Sequence, residues 1–197
     1  MLKKGTILKI REFYINNPEY ADDIFRAIKE FFGECGWFKY IDIAFGLYEE
    51  GFFNEWLTYD FKFSDGKGML EKYYFENPNN IPEYRRVIYK NLMENYFGLF
   101  EVLDVEPFVK LKLRRIDDLK EFEVREMSAT MQAVGGDIFF GRVANVGDVY
   151  ELVGSDSVIF KFSALSDYER SENIKFYSKY KKITLIDALK ILKDLPR

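Results

Sequence analysis

The sequence contains no histidine and a single cysteine, Cys35. The first absence removes imidazole as a metal ligand, a general base or a member of a catalytic triad. The second excludes an internal disulfide and any cysteine-rich zinc centre. Cys35, within FGECGW, reads as a small buried apolar residue rather than a nucleophile without a histidine partner. Long apolar runs are also missing: no stretch of about 18 uncharged apolar residues occurs, so no membrane-spanning helix is expected. The basic opening MLKKGTILKIREF is too short in apolar length, and too interrupted by charge, for a signal peptide. Internal repeats, low-complexity tracts and Pro/Gly/Ser linkers are absent as well. The expectation is a cytoplasmic protein without membrane contact.

What is present is a globular balance, with 48% apolar and 31% charged residues in a chain of 197. A chain of this length buries roughly 70% of its unfolded surface on folding. Aromatic residues reach 18%, including 20 Phe and 14 Tyr. They predict a thick aromatic core; stacking platforms for bases would need rings beside a basic surface, and the net charge of −4 gives that idea little help.

Hydrophobic periodicity divides the chain into helical, β-rich and helical stretches. In NNPEYADDIFRAIKEFFGECG, Asn17 caps, Pro18 suits the first turn, and Tyr20, Ile24, Ile28, Phe31 and Phe32 recur at helical spacing. A second helix is predicted over 38–49, with Ile41, Phe45 and Tyr48 on one side, and a third after Gly51. Phe61 and Phe63 then alternate with Asp60 and Lys62 as a short extended segment, with SDGKG as a turn. MLEKYYFE is read as a short helix, and IPEYRRVIYKNLMENYFG as a longer one with Val87, Ile88, Leu92 and Met93 on a face and Gly98 at its end.

Beyond it come short alternating segments, such as Val109, Leu111 and Leu113 against Lys110, Lys112 and Arg114, separated by turns about ten residues apart. The tail carries capping-box spacing at Ser166 with Glu169 and at Thr184 with Asp187. The predicted fold is α+β: a helical region (1–97) packed on a small antiparallel, SH3-like β-barrel (98–163), with C-terminal helices (164–197) returning to the body as one compact unit.

Three stretches, FFNEWLTYDFKFSDGKGMLEKYYFE, GLFEVLDVEPFVKLKLRRIDDLKEFEVRE and GDIFFGRVANVGDVYELVG, carry a resemblance. Together they are similar to a family of uncharacterised bacterial proteins. In that family an F-x-E-W-[LF]-x-[FY]-D segment precedes a β-rich region opened by a Gly-Asp-hydrophobic strand. The resemblance covers residues 45–160 and rests on Phe53, Glu55, Trp56, Leu57, Tyr59, Asp60, Gly66, Gly136, Asp137 and Arg142. Some members carry a C-terminal SEC-C zinc motif of Cys and His, which is absent here, so no zinc role follows. The resemblance implies a bacterial protein with a small β domain and no particular reaction.

Three chemistries compete. Acid-only sites hold Mg²⁺ or Mn²⁺ through oxygen ligands and can drive phosphodiester cleavage. Glu55, Asp60, Asp104, Glu123 and Asp137 are the acids nearest apolar positions, but 33 acids in the chain make such coincidences common. Nucleic-acid contact through Lys110, Lys112 and Arg114, with the tail KFYSKYKK, is weighed against pairing with the acids of RRIDDLKEFEVRE across a hairpin. GGDIFFGRV lacks the ending of a nucleotide-binding loop and reads as a tight turn.

A non-catalytic binding or regulatory module with a protein partner and no cofactor is favoured over both a metal-dependent hydrolase acting on nucleic acid and a nucleic-acid-binding barrel. Glu55, Trp56, Asp60, Arg85, Arg86, Asp137 and Arg142 form the candidate binding or structural polar set. Within it, Glu55 and Asp60 are expected to hold Arg85, Arg86 or backbone N–H groups.

Overall fold

The computed structural model describes residues 5–35, 43–154, 158–161, 165–178 and 184–194. The chain divides into two compact units, residues 1–94 with 189–197, and residues 95–188.

The first unit is built from helices α1 (Thr6–Ile15), α2 (Ala21–Cys35), α3 (Ile43–Tyr59), α4 (Met69–Glu76) and α5 (Glu83–Met93). The Asn-Pro signal works as expected: Asn17 Oδ1 accepts the Glu19 N–H at 3.1 Å and opens a 3-10 turn, Pro18–Tyr20, that leads into α2. The expected break at Gly51 does not occur, and α3 runs straight through it. One interior glycine costs a helix only about 1 kcal/mol, and burial of Phe52, Trp56 and Leu57 just beyond it outweighs that.

After α3 the chain extends through Phe61 and Phe63, both buried, and reverses at Gly66 (φ 80°). Rings then link the helices in series. Phe31 lies 5.4 Å from Trp56, Trp56 5.2 Å from Phe61, Phe61 5.7 Å from Phe63, and Phe63 5.2 Å from Tyr14. The Ile41 position, the side chains of Cys35, Phe45 and Tyr48, and the tail residues Lys179, Lys181 and Lys182 lie outside the described residues.

Helix α5 stops at Met93, five residues before Gly98, and Leu92 is its buried residue while Val87 is exposed. Asn95, Tyr96 and Phe97 pair instead with Ala144, Val143 and Arg142. Gly98 sits inside that strand opposite Gly141, and a Cβ there would lie 3.6 Å from the Arg115 side chain.

The second unit contains β1 (Asn95–Glu106), β2 (Lys110–Arg115), β3 (Glu121–Arg125), β4 (Ile138–Asn145), β5 (Tyr150–Leu152) and β6 (Val158–Phe160). Five strands close into a barrel in the order β1-β2-β3-β5-β4-β1, with β6 added to the first half of β4. The long β1 serves two partners, β4 through Glu101 and β2 from Phe100 onward. A register shift between Val102 and Asp104 bends it around the corner.

The α+β class and the small barrel are as the sequence predicts; the direction of one strand pair is not. A closed ring with an odd number of strands cannot alternate direction at every step, and here the parallel step is β3 against β5. Closure in this order is the connectivity of an OB-type barrel rather than an SH3-like one. The chain crosses the barrel end through a 3-10 turn, Ala129–Met131, to place β4 beside β1.

The barrel core is Phe100, Val102, Leu111, Leu113, Phe122, Val124, Ala133, Phe139 and Val143. Helices α6 (Asp167–Ser178) and α7 (Leu185–Asp194) follow. Both capping boxes form: Glu169 Oε2 accepts the Ser166 N–H at 3.0 Å, and Asp187 Oδ2 accepts the Thr184 N–H at 3.1 Å. Among the described residues no helix is long and apolar enough to cross a membrane.

Candidate functional site: an apolar rim on the barrel

The polar residues singled out in the sequence fall in both units, Glu55, Trp56, Asp60, Arg85 and Arg86 in the first and Asp137 and Arg142 in the second. Glu55 and Trp56 are buried on α3, and Asp60 is exposed just past its end. Arg86 donates to the Tyr74 carbonyl at 2.9 Å, pairs with Glu83, and lies 5.2 Å from the Tyr74 ring centroid. Arg85 lies over the Tyr84 ring, 5.5 Å from its centroid.

In the other unit, Asp137 is fully buried. Its carboxylate accepts the Val134 N–H at 3.1 Å and the Lys161 ammonium at 2.9 Å, while its carbonyl accepts the Val102 N–H at 2.8 Å. Gly136 (φ 87°) donates to the Val102 carbonyl at 2.7 Å. The GGD segment is therefore a turn that fastens the start of β4 to β1. Arg142, buried on β4, donates to Asn95 Oδ1 and lies 5.1 Å from the Phe97 ring centroid.

The basic strand is neutralised by its neighbours. Lys110 pairs with Glu123 at 3.2 Å and approaches Glu106 at 4.0 Å; Lys112 pairs with Glu121 at 2.9 Å, and Arg114 pairs with Glu101. On the outer face of β1, β2 and the Glu121–Glu123 part of β3, the acids Glu101, Asp104, Glu106, Glu121 and Glu123 outnumber Lys110, Lys112 and Arg114. Arg125, at the end of β3, is taken up by Glu151. Glu121 and Glu123 of β3 together with Glu101, Asp104 and Glu106 of β1 convert a basic strand into an acidic surface. Asp104, Glu123 and Asp137, three of the acids considered as metal ligands, lie in this unit, whereas Glu55 and Asp60 lie in the other. Among the described residues, no group of three or more His, Cys, Asp or Glu side chains is placed to hold a metal ion.

A different feature stands out at one end of the barrel. Strands β1 and β3 run in the same direction, so the β1–β2 turn and the loop after β3 meet at the same end. The Phe108 N–H donates to Thr130 Oγ1 at 2.9 Å and the Glu126 N–H to the Val109 carbonyl at 3.2 Å, joining the two loops. Phe108 is 63% exposed and Met131 63%, and Val109, Met127 and Val134 are exposed beside them in the chain.

Phe108 also has φ 62°, in the left-handed region where a bulky side chain is a genuine outlier and glycine or asparagine is at ease. An aromatic ring is thus held in water on a backbone that disfavours it by about 1–2 kcal/mol. Sequence reading missed this rim, although the signal was there: EPFVK puts a phenylalanine and a valine in a turn, where polar residues are the rule.

Two further clusters combine rings with cations. At the opposite barrel end, Lys120 lies 4.2 Å from the centroid of Tyr96, donates to its hydroxyl at 2.9 Å, and sits 5.1 Å from the Phe122 centroid. Arg115 lies 5.1 Å from the same Tyr96 centroid but is held by Asp117 and Asp118.

In the helical unit, Lys72 is buried beside Tyr20 and Phe63, with its ammonium 2.7 Å from Asp65 and 3.0 Å from Glu76. Burial pulls the Lys72 pKa down, but the hydrogen bonds it donates to Asp65 and Glu76 outweigh this and hold the group above its ordinary value. Glu76 also accepts from Tyr14 and Tyr20 at 3.4 and 3.3 Å. Both phenols are raised, first by burial and then by the Glu76 charge. This cluster has a cation already in its ring enclosure, so its role is to join α1, the 61–68 segment and α4.

The chain matches no family model, no curated protein and no solved structure.

Proposed function

We propose that the chain is a non-catalytic binding module of the bacterial cytoplasm, and that its barrel engages a protein partner through the rim of Phe108, Val109, Met127 and Met131. The observation that carries this reading is Phe108, an aromatic ring both exposed and held in a left-handed backbone conformation. Strained backbone positions cluster at binding and switch sites. Phe108 differs from Leu119, which shares its left-handed backbone and exposure in the β2–β3 turn, in having exposed Val109, Met127 and Met131 on the two loops joined at its end. Methionines beside it supply an adaptable apolar surface of the kind that accommodates partners. Small OB-type barrels host many ligand classes, so the choice among them rests on the surface and not on the fold. The paired and net acidic strand face weighs against nucleic acid.

The test compares affinity capture from a bacterial lysate by the wild-type chain and by a Phe108→Asn/Met131→Gln variant with an unchanged circular dichroism spectrum. A set of proteins retained by the first and absent from the second is expected. Identical profiles would overturn the reading.

A further inference from the structure

The charge around the rim specifies the kind of partner it fits. Asp104 and Glu106 precede the Phe108 turn on β1, and Glu123 and Glu126 precede Met127 at the end of β3. Few cations at this end answer them. Lys110 is shared between Glu106 and Glu123, Lys112 is taken by Glu121, and Arg125 by Glu151. Asp104 stands opposite Lys112 on β2, whose ammonium is 2.9 Å from Glu121, and Glu126 uses its carboxylate to accept the Ser128 and Ala129 N–H groups at 2.7 and 3.2 Å. Acids therefore outnumber cations on the strand ends that lead into both loops carrying the apolar side chains.

An acidic border around exposed methionine and phenylalanine complements a segment with large apolar residues on one side and lysine or arginine beside them. An acidic or phosphate-bearing ligand meets like charge at the same place. We infer that the partner docks through a basic amphipathic segment, its apolar residues on Phe108, Val109, Met127 and Met131 and its cations toward Asp104, Glu106 and Glu123. This rests on the rim being the binding surface, and adds the charge and form of what it binds. Charge then steers the approach and sets specificity, while the apolar anchors set the lifetime of the complex.

The experiment uses the full chain and fluorescence anisotropy of labelled synthetic peptides. One has leucine and lysine at amphipathic helical spacing, a second has glutamate for each lysine, a third has serine for each leucine, and a labelled single-stranded oligonucleotide completes the set. The leucine–lysine peptide should bind at least about tenfold tighter than either of the other peptides, and its affinity should fall as salt is raised. Asp104→Asn/Glu106→Gln should erase most of the difference between the lysine and glutamate peptides. Phe108→Asn/Met131→Gln should weaken the leucine–lysine peptide about tenfold with the fold intact.

Equal binding of the lysine and glutamate peptides would overturn the inference and leave the apolar rim standing. Equal binding of the serine–lysine peptide, no effect of the rim variant, or no peptide binding at all would overturn both. Tighter binding of the oligonucleotide than of the leucine–lysine peptide would reject the charge argument outright.

Discussion

Replacing Lys72 by methionine tests how the helical unit is held together, because methionine keeps the buried stem and volume while deleting the charge. Two charge-assisted hydrogen bonds disappear, to Asp65 at 2.7 Å and Glu76 at 3.0 Å. In a dry interior each such bond is worth about 1.5–3 kcal/mol. Here, however, the Asp65 and Glu76 side chains are 41% and 38% exposed and rehydrate once the lysine is gone. That brings each bond to roughly 1 kcal/mol or less. The cation over Tyr20 and Phe63, at 5.4 and 5.7 Å, adds about 0.5 kcal/mol.

The expected loss is therefore about 1.5–2.5 kcal/mol, read as a lowered urea midpoint by tryptophan fluorescence, since Trp56 lies in the same unit. The pH dependence gives a second reading. Hydrogen bonds from Lys72 and then from the Lys67 N–H hold the Asp65 carboxyl below its ordinary 3.8. A depressed carboxyl stabilises the fold above its unfolded pKa and loses that contribution as pH falls through the folded value. Lys72→Met should flatten this acid-side loss. A variant within about 0.5 kcal/mol of wild type, with an unchanged acid profile, would refute the argument.

Phe108→Asn should leave stability within about 0.5 kcal/mol of wild type, because relief of the left-handed backbone offsets the ring's partial burial. A loss above about 1.5 kcal/mol in chemical denaturation would make Phe108 a structural anchor instead. Phe122→Ala, by contrast, empties the middle of the barrel core and should cost about 3–5 kcal/mol in the same assay. Gly136→Ala, at φ 87°, should cost about 1–2 kcal/mol through backbone strain. Ultraviolet titration should show the Tyr14 and Tyr20 phenols ionising above the ordinary value of 10, with Glu76→Gln bringing both part of the way down.

Local signals in the sequence translated well where the physics is local. Both capping boxes, the Asn17 cap, the turn at Gly66 and the inward alternation of Leu111 and Leu113 follow from residue type and short spacing. The acids answering Lys110 and Lys112 were also legible, since a β-hairpin brings such neighbours together. Legibility failed where a weak local signal met a stronger tertiary one. Gly51 looked like a break but lies beside heavily buried residues, and Asn95–Phe97 looked like a helix end but pair with β4. The Lys72 cluster shows a mixed case. Its Glu76 partner is one helical turn away and readable, whereas Asp65 and the two tyrosines converge through folding alone.

The rim belongs to that second class, and the reason is topological. EPFV and EMSATM are both turn sequences, about twenty residues apart, and each taken singly exposes a few apolar atoms without consequence. They become one surface because the two hairpin steps from β1 through β2 to β3 restore the original direction, so the end of β3 returns to the end of β1. Odd-numbered closure requires a parallel step elsewhere, which the long crossing through Ala129–Met131 supplies. The crossing that closes the barrel is thus the one that sets Met127 and Met131 at the same end as Phe108. A chain selected for closure alone would place small or polar residues in that crossing, as it does with Ala129, Thr130 and Ala133 facing the barrel. The methionines on its exposed side are not needed for closure, and with Phe108 they form the part of the barrel whose chemistry points outward.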